Sequence, residues 1–361
     1  MKLRTVIEEM PQRLIRYQLA EKEEQAMLAY REMFLQNESL ICQAETYYRM
    51  FFETEILPPD FDTLPDNDGQ EQGMLFAMVY FARCELFGEA LEKQGIPAQF
   101  ASHGPWHFCD LFRRNQRCYG TYGFQGMYRE GMVKYVKPKT FTIGRLSFEM
   151  NVFHGPYVVY KNRYNGRLVH LAIAGLNYLE NGKQAPKNDK EKYFTTELVE
   201  GMTIKGNTFH ADGTLNFETV SLDGKEYEKV LGDGDPVLSV HIPGNDKMTP
   251  ELVADAFKRA RDFFETYYKD KAFKAFVCSS WLLDTGLTRF LKPDSNIMKF
   301  QQEFTIALSF VNTFAIYWNI FGVENFLPYE ELVPENRFQQ QVLDWVKSGE
   351  HLYSGNGFIL W

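Results

Sequence analysis

The sequence predicts an α+β chain: a helical segment over residues 1–137, then a mixed β-sheet domain with flanking helices over 138–361. Three observations carry this expectation. Apolar residues recur at helical spacing as far as about residue 135. From Thr140 the pattern changes to the alternation of strands. After Pro236 a strand, a loop, a helix and a second strand follow in turn, which brings parallel neighbours into the sheet. At 361 residues the chain exceeds one ordinary core, so two domains are the default.

Each element has its own signal. Leu14, Tyr17, Met27, Leu28, Tyr30, Met33 and Phe34 recur among Glu, Arg and Lys at helical spacing. Leu40, Ile41, Ala44, Tyr47, Tyr48 and Phe51 mark another helix. Residues 57–70 read as a loop from their Pro, Asp and Gly content. A long helix is expected from about Glu71 to Lys93, stopped by Gly95 and Pro97. One more helix follows, then a flexible glycine-rich turn over 120–126. Gly104-Pro105 is expected to break the helix that would set His103 and His107 on one face.

In the second part, residues 140–153 alternate as a strand. Apolar runs flanking Asn165-Gly166 predict a hairpin with a two-residue turn, and Asp212-Gly213 predicts another over 203–215. Strands are expected at 237–242 and 273–279, with a helix at 249–269 between them. A short helix over 281–291, an extended segment near 296–310 and a helix over 335–348 complete the reading. Thr249 is a good N-cap, Pro250 suits the first helical position, and Glu251 suits the first turn. That helix start points unsatisfied N–H groups at the preceding loop, an arrangement suited to phosphate.

Composition narrows the function classes. The formal net charge is −9 and no long Lys/Arg run occurs, which argues against nucleic acid as a partner. The 31 Phe and 20 Tyr suit large aromatic cores. The longest apolar runs are too short or too polar to span a bilayer. Five scattered cysteines without a CxxC pair argue against a disulfide framework or zinc site. The first residues carry charges and no apolar run of the secretory type. A cytoplasmic protein without a metal or membrane partner is the resulting expectation. The aromatic-rich helical half is compatible with a homodimer.

Four segments carry a family resemblance: IGRLSFE at 143–149, VLSVHIP at 237–243, FVCSSWLLD at 276–284 and SNIMKFQQEF at 295–304. They are similar to a bacterial family of acyltransferase-domain proteins with a helical N-terminal domain and a GNAT-like C-terminal domain. The resemblance implies an N-acyltransferase that moves an acyl group directly from acetyl-CoA or another acyl-CoA to a small-molecule acceptor, an amine. It implies that Val240, His241 and Ile242 flank the thioester where two strands splay. It further implies that the loop from Gly244 and Asn245 to Thr249 holds the CoA phosphates. The loop departs from the usual signature, an Arg or Gln followed by two spaced glycines.

The reactive side chains cluster at the strand ends. His241 is a candidate general base, because an ordinary imidazole titrates near neutral pH; the alternative is a buried histidine bonded to the neighbouring strand. Ser279 and Ser280 are candidates to protonate the departing CoA thiolate, or they cap the helix that begins at Trp281. Cys278 is a candidate nucleophile or a small buried hydrophobe. Asp284 is a candidate to orient His241 or bind a cationic amine; a first-turn acid is equally explained by the helix dipole. Asn296, placed at the start of a strand, is a candidate to bind amide groups of the ligand, or a turn residue. The competing reading is a non-catalytic GNAT-like module that binds a ligand or a protein.

Overall fold

The computed structural model describes residues 2–53, 70–124, 136, 139–185, 193–244, 247–323 and 326–361. The expected loop at 57–70 thus lies outside the described residues, except for Gln70. The chain divides into two compact units, Met1–Phe148 with Pro243–Asn245, and Glu149–Ile242 with Asp246–Trp361.

The first unit is helical: α1 (Lys2–Glu8), α2 (Met10–Arg13), α3 (Glu21–Leu35), α4 (Glu38–Phe52), α5 (Gln70–Lys93) and α6 (His103–Tyr119). Asn37 starts α4 by accepting the Ser39 and Leu40 amides on its side-chain oxygen. Glu23 reaches back from the first turn of α3 to the Ala20 amide, at 2.7 Å. In α5 every residue from Met74 to Ala82 is buried. A helix that is apolar all round belongs at the centre of its bundle. Tyr17, Phe108, Phe112 and Phe124 close around it, in stacked and edge-on pairs that include its own Tyr80.

Two expectations fail here. Helix α6 runs unbroken through Gly104-Pro105, because a first-turn amide has no intrahelical partner for proline to remove. His107 therefore lies on a continuous helix, and its Nδ1 pairs with the Tyr80 hydroxyl at 3.0 Å. Nor is the 120–124 stretch a flexible turn. The Phe124 amide donates to the Gly73 carbonyl, Tyr122 stacks on Phe112, and Phe124 is fully buried. At Gly123, with φ at 119°, a Cβ would stand 2.4 Å from the Gly73 carbonyl carbon, so glycine is required by both conformation and space. Residues 125 and 126 of that stretch lie outside the described residues.

The strands are β1 (Thr140–Ile143), β2 (Leu146–Val152), β3 (Tyr157–Asn162), β4 (Leu168–Ala172), β5 (Asn177–Tyr178), β6 (Phe194–Thr195), β7 (Leu198–Val199), β8 (Thr203–Phe209), β9 (Leu215–Asp223), β10 (Tyr227–Leu231), β11 (Pro236–His241), β12 (Ala275–Ser280), β13 (Thr305–Val311) and β14 (Tyr353–Leu360). In the second unit one sheet runs β2-β11-β12-β14-β13. Another runs β10-β3-β4-β8-β7, with β9 paired to β8. Helix α7 (Pro250–Tyr267) connects β11 to β12, α8 (Asn296–Gln302) precedes β13, and α9 (Arg337–Lys347) precedes β14.

The two sheets share a core. Tyr157, Val159 and Ala172 of the second meet Val237, Ala275, Ala307 and Phe358 of the first. Helix α7 covers the opposite face, with Phe257 edge-on to Phe276 at 5.0 Å. It buries Val253, Phe257, Phe263 and Phe264 along one stripe, each large side chain contributing about 1.5–3 kcal/mol. No helix among the described residues is long and apolar enough to cross a membrane.

Several local expectations are corrected. The hairpin at Asn165-Gly166 forms, but its turn is longer than two residues. The Asn162 amide donates to the Arg167 carbonyl, and the Asn162 side chain accepts the Tyr164 and Asn165 amides. The extended segment near 296–310 is helix α8, capped by Ser295, and only then strand β13. Residues 281–291 form two short turns, Trp281–Leu283 and Thr285–Arg289, rather than one helix. Strand β14 had no signal in the sequence reading, because SGNG looks like a turn. Those glycines are there for close approach: a Cβ on Gly355 would stand 2.3 Å from the Leu283 carbonyl oxygen.

Candidate functional site where two strands part

Strands β11 and β12 run parallel and pair at Leu238–Phe276 and Ser239–Val277. Beyond that point β12 keeps its ladder with β14 out to Ser280–Gly355. β11 runs on to His241 without a further partner residue on β12. Backbone polar groups that leave a ladder need other partners. The parting therefore presents the edges of Val240, His241 and Cys278 to whatever lies between the strands.

Side chains alternate across a sheet, so register decides which residues share a face. Ser239 lies opposite Val277, and Ser279 lies opposite Asn356. By alternation His241 and Ser279 fall on one face, the face that packs on the second sheet through Val237 and Ala275. Past the apolar core this face turns polar. Asn151 of β2 donates to the Ser239 hydroxyl at 3.2 Å. The Glu149 carboxylate lies 2.9 Å from Nε2 of His241.

The His241–Glu149 pair sets the chemistry of this strip. Glu149 is buried, whereas the His241 side chain keeps 21% of its exposure. With Glu149 ionised, its oxygens can only accept, which puts the shared hydrogen on Nε2 and the basic lone pair on Nδ1. A carboxylate behind an imidazole fixes its tautomer and stabilises the imidazolium that forms when the ring takes up a proton.

The other expected site residues fall into distinct settings. Ser279 is exposed on the same face as His241. Ser280 caps the Trp281 turn, its Oγ accepting the Leu282 amide at 3.1 Å. Asp284 is not the partner of His241. Its two carboxylate oxygens accept the Gly286 and Tyr353 amides, each at 2.8 Å, and burial raises its pKa. Cys278 is buried, and desolvation pushes its thiol up to about 12, which disfavours the thiolate that covalent catalysis needs. Val240 is buried on the α7 side of the sheet, and Ile242 is half-buried.

Thr249 caps α7, accepting the Leu252 amide. Gly244 is exposed in the first unit, where a Cβ would stand 3.7 Å from the Trp106 ring. Asn245 lies outside the described residues. Asn296, expected at the start of a strand, is instead the exposed first residue of α8. The sequence reading missed Glu149, Asn151 and Asn356. An acid in the middle of the apolar run LSFEM was the one available signal.

Residues 140–359 match the family of the GNAT-like C-terminal domain. Solved structures share the fold at low sequence identity. An acyltransferase in complex with decanoyl-CoA has a TM-score of 0.64 and 19% identity over 98% of this chain and 87% of that one. An acyltransferase mutant in complex with octanoyl-CoA has a TM-score of 0.63 and 17% identity over 98% and 88%. An acyltransferase in complex with decanoyl-CoA and teicoplanin has a TM-score of 0.63 and 16% identity over the same shares. No curated protein matches the sequence.

Proposed function

The chain belongs to the family of the GNAT-like C-terminal domain, and on that basis we propose that it is an acyltransferase acting on acyl-CoA, with a small-molecule amine as acceptor. The His241–Glu149 pair at the parting of β11 and β12 carries this reading. The complexes of similarly folded acyltransferases with octanoyl-CoA and decanoyl-CoA support the donor, and the teicoplanin complex supports a small-molecule acceptor.

In the proposed reaction the thioester lies where β11 parts from β12. A backbone N–H near Val240 donates to the thioester carbonyl and stabilises the oxyanion as it develops. The amine attacks the carbonyl carbon, and Nδ1 of His241 takes its proton. Glu149 balances the imidazolium. The C–S bond breaks, the thiolate leaves with a proton from Ser279, and the proton taken up by His241 returns through solvent to the serine oxygen. Cys278 plays no part, and Asp284 and Ser280 hold the turn that follows β12. The first turn of α7, capped by Thr249, is the proposed phosphate end of the site.

One observation favours a second reading, a module that binds without chemistry. The same first turn carries Glu251, whose carboxylate is held low by its own amide and by the Thr249 hydroxyl. A pyrophosphate would have to displace it. Calorimetric titration of the full chain with CoA, octanoyl-CoA and decanoyl-CoA separates the two readings when followed by assay of thiol release with simple amines. Saturable binding with amine-dependent release supports the enzyme. Binding without release favours a module that holds CoA, and no binding by any of the three sinks the enzyme and leaves the module that binds another ligand or a protein.

A further inference from the structure

A cavity of about 650 Å³ opens in the helical unit between α4 and α5, within the range of about 300–1,000 Å³ that small-molecule sites occupy. Leu3 of α1 and Leu86 and Ala90 of α5 give it an apolar wall. Tyr48 of α4 and Arg83 of α5 meet in its lining.

Arg83 is the first charge after the buried apolar run of α5, and it is half-buried. Its guanidinium lies over the Phe52 and Phe87 rings, 5.4 and 6.0 Å from their centroids. Among the described residues its hydrogen-bond partners are neutral. Nε and Nη2 donate to the Val136 carbonyl, at 3.2 and 3.0 Å, and Nη1 donates to the Tyr48 hydroxyl at 3.5 Å. Each terminal nitrogen of a guanidinium carries a second hydrogen, which these bonds leave over. That parallel pair is what a carboxylate accepts. The Tyr48 hydroxyl is an acceptor here and keeps its own hydrogen to donate.

The other charges of the lining do not balance Arg83. Glu89 is paired with Arg13 at 2.9 Å. Arg49 donates to the Glu45 backbone carbonyl, and Arg49 and Lys93 are exposed at the mouth. The remaining acids are Glu45 and the exposed Glu53, and among the described residues Arg83 forms an ion pair with neither. A part-buried cation with only neutral partners keeps capacity for an anion. A singly charged carboxylate suits this lining better than a doubly charged phosphate, whose second charge would meet Glu45 and Glu53.

We propose that this cavity is a binding site for a small organic carboxylate with an apolar body. The carboxylate takes the remaining Arg83 hydrogens and the Tyr48 hydroxyl, and the body lies along Leu3, Leu86 and Ala90. Arg49 and Lys93 draw the anion toward the mouth. The inference concerns the helical unit alone and does not rest on the acyl-transfer reading.

The test is calorimetric titration of the full folded chain with phenylacetate, indole-3-acetate and hexanoate, each beside its neutral amide. Saturable binding of the acids and not of the amides is expected, weakening as salt rises. Arg83→Gln should lower the affinity by about 10- to 150-fold. Ala90→Phe fills the apolar wall, leaves Arg83 in place and should abolish binding. His241→Ala should leave binding unchanged. Thermal unfolding checks that each variant folds. The comparison of acid with amide needs no variant, so it decides the matter where Arg83→Gln does not fold. No saturable binding of any of the acids, amides or phenyl phosphate that bind as well as the acids, or binding that survives both Arg83→Gln and Ala90→Phe would overturn the proposal. These titrations involve no CoA, so failure of CoA binding leaves them intact.

Discussion

Glu149→Gln changes one atom of the proposed base pair and keeps its shape. Across 2.9 Å the pair has at most about 6 kcal/mol of gross attraction at an effective dielectric constant of about 20. Solvent around the partly exposed imidazole screens much of this. The net value of a hydrogen bond to a charged group is about 1.5–3 kcal/mol. The carboxylate acts most strongly on the imidazolium, which exists only after the proton has moved. Glutamine should therefore lower kcat by about 10- to 150-fold and leave KM for acyl-CoA nearly unchanged. The assay is thiol release from octanoyl-CoA with an accepted amine, alongside thermal unfolding. An unchanged kcat in a folded variant would refute the role given to Glu149. A loss of activity that tracks a lower Tm would refute it as well.

Three further outcomes follow from the geometry. Gly355→Ala places a Cβ 2.3 Å from the Leu283 carbonyl, and overpacking of this kind costs about 1–3 kcal/mol or more; calorimetry should show a Tm lower by several degrees, and an unchanged Tm would contradict the contact. Iodoacetamide should modify the exposed Cys42 and Cys118 in the native protein and spare buried Cys278, and Cys278→Ala should keep the acyl-transfer rate; a lost rate with an intact fold would restore the covalent route. His107 is held down to about 3, chiefly by burial and further by Arg114. Its neutral form gives stability that is complete above the ordinary value near 6.5 and fades as pH falls toward 3, because the unfolded chain takes up a proton that the fold refuses. The loss is about 2 kcal/mol at about pH 5. In His107→Asn, denaturant unfolding should show a shallower acid slope, with the remainder from His170, which burial lowers to about 4.

Much of the architecture was legible because it follows from local physics. The helical spacing of the first unit, the turn pairs at Asn165-Gly166 and Asp212-Gly213, and the Thr249-Pro250-Glu251 start of α7 each act over a few residues. Periodicity also placed His241 and Ser279 at strand ends. It could not identify the partner of His241, because Glu149 lies 92 residues away and meets it through sheet pairing alone. Asp284 follows the end of the second strand and was a candidate to orient His241, yet the Thr285–Arg289 turn and the start of β14 consume its oxygens.

By itself, then, the sequence determined the class of each strongly periodic segment, the helix starts, the turns and the two strand ends that carry reactive groups. Those features depend on contacts within a turn or a single strand. The tertiary structure decided register, and register decided which side chains share a face, where β11 leaves β12, and which acid stands behind the imidazole. It also decided that SGNG is a strand, since only the Leu283 turn lying against it explains the need for glycine. Pairings between distant segments depend on the whole packed sheet, and no short window of residues encodes them.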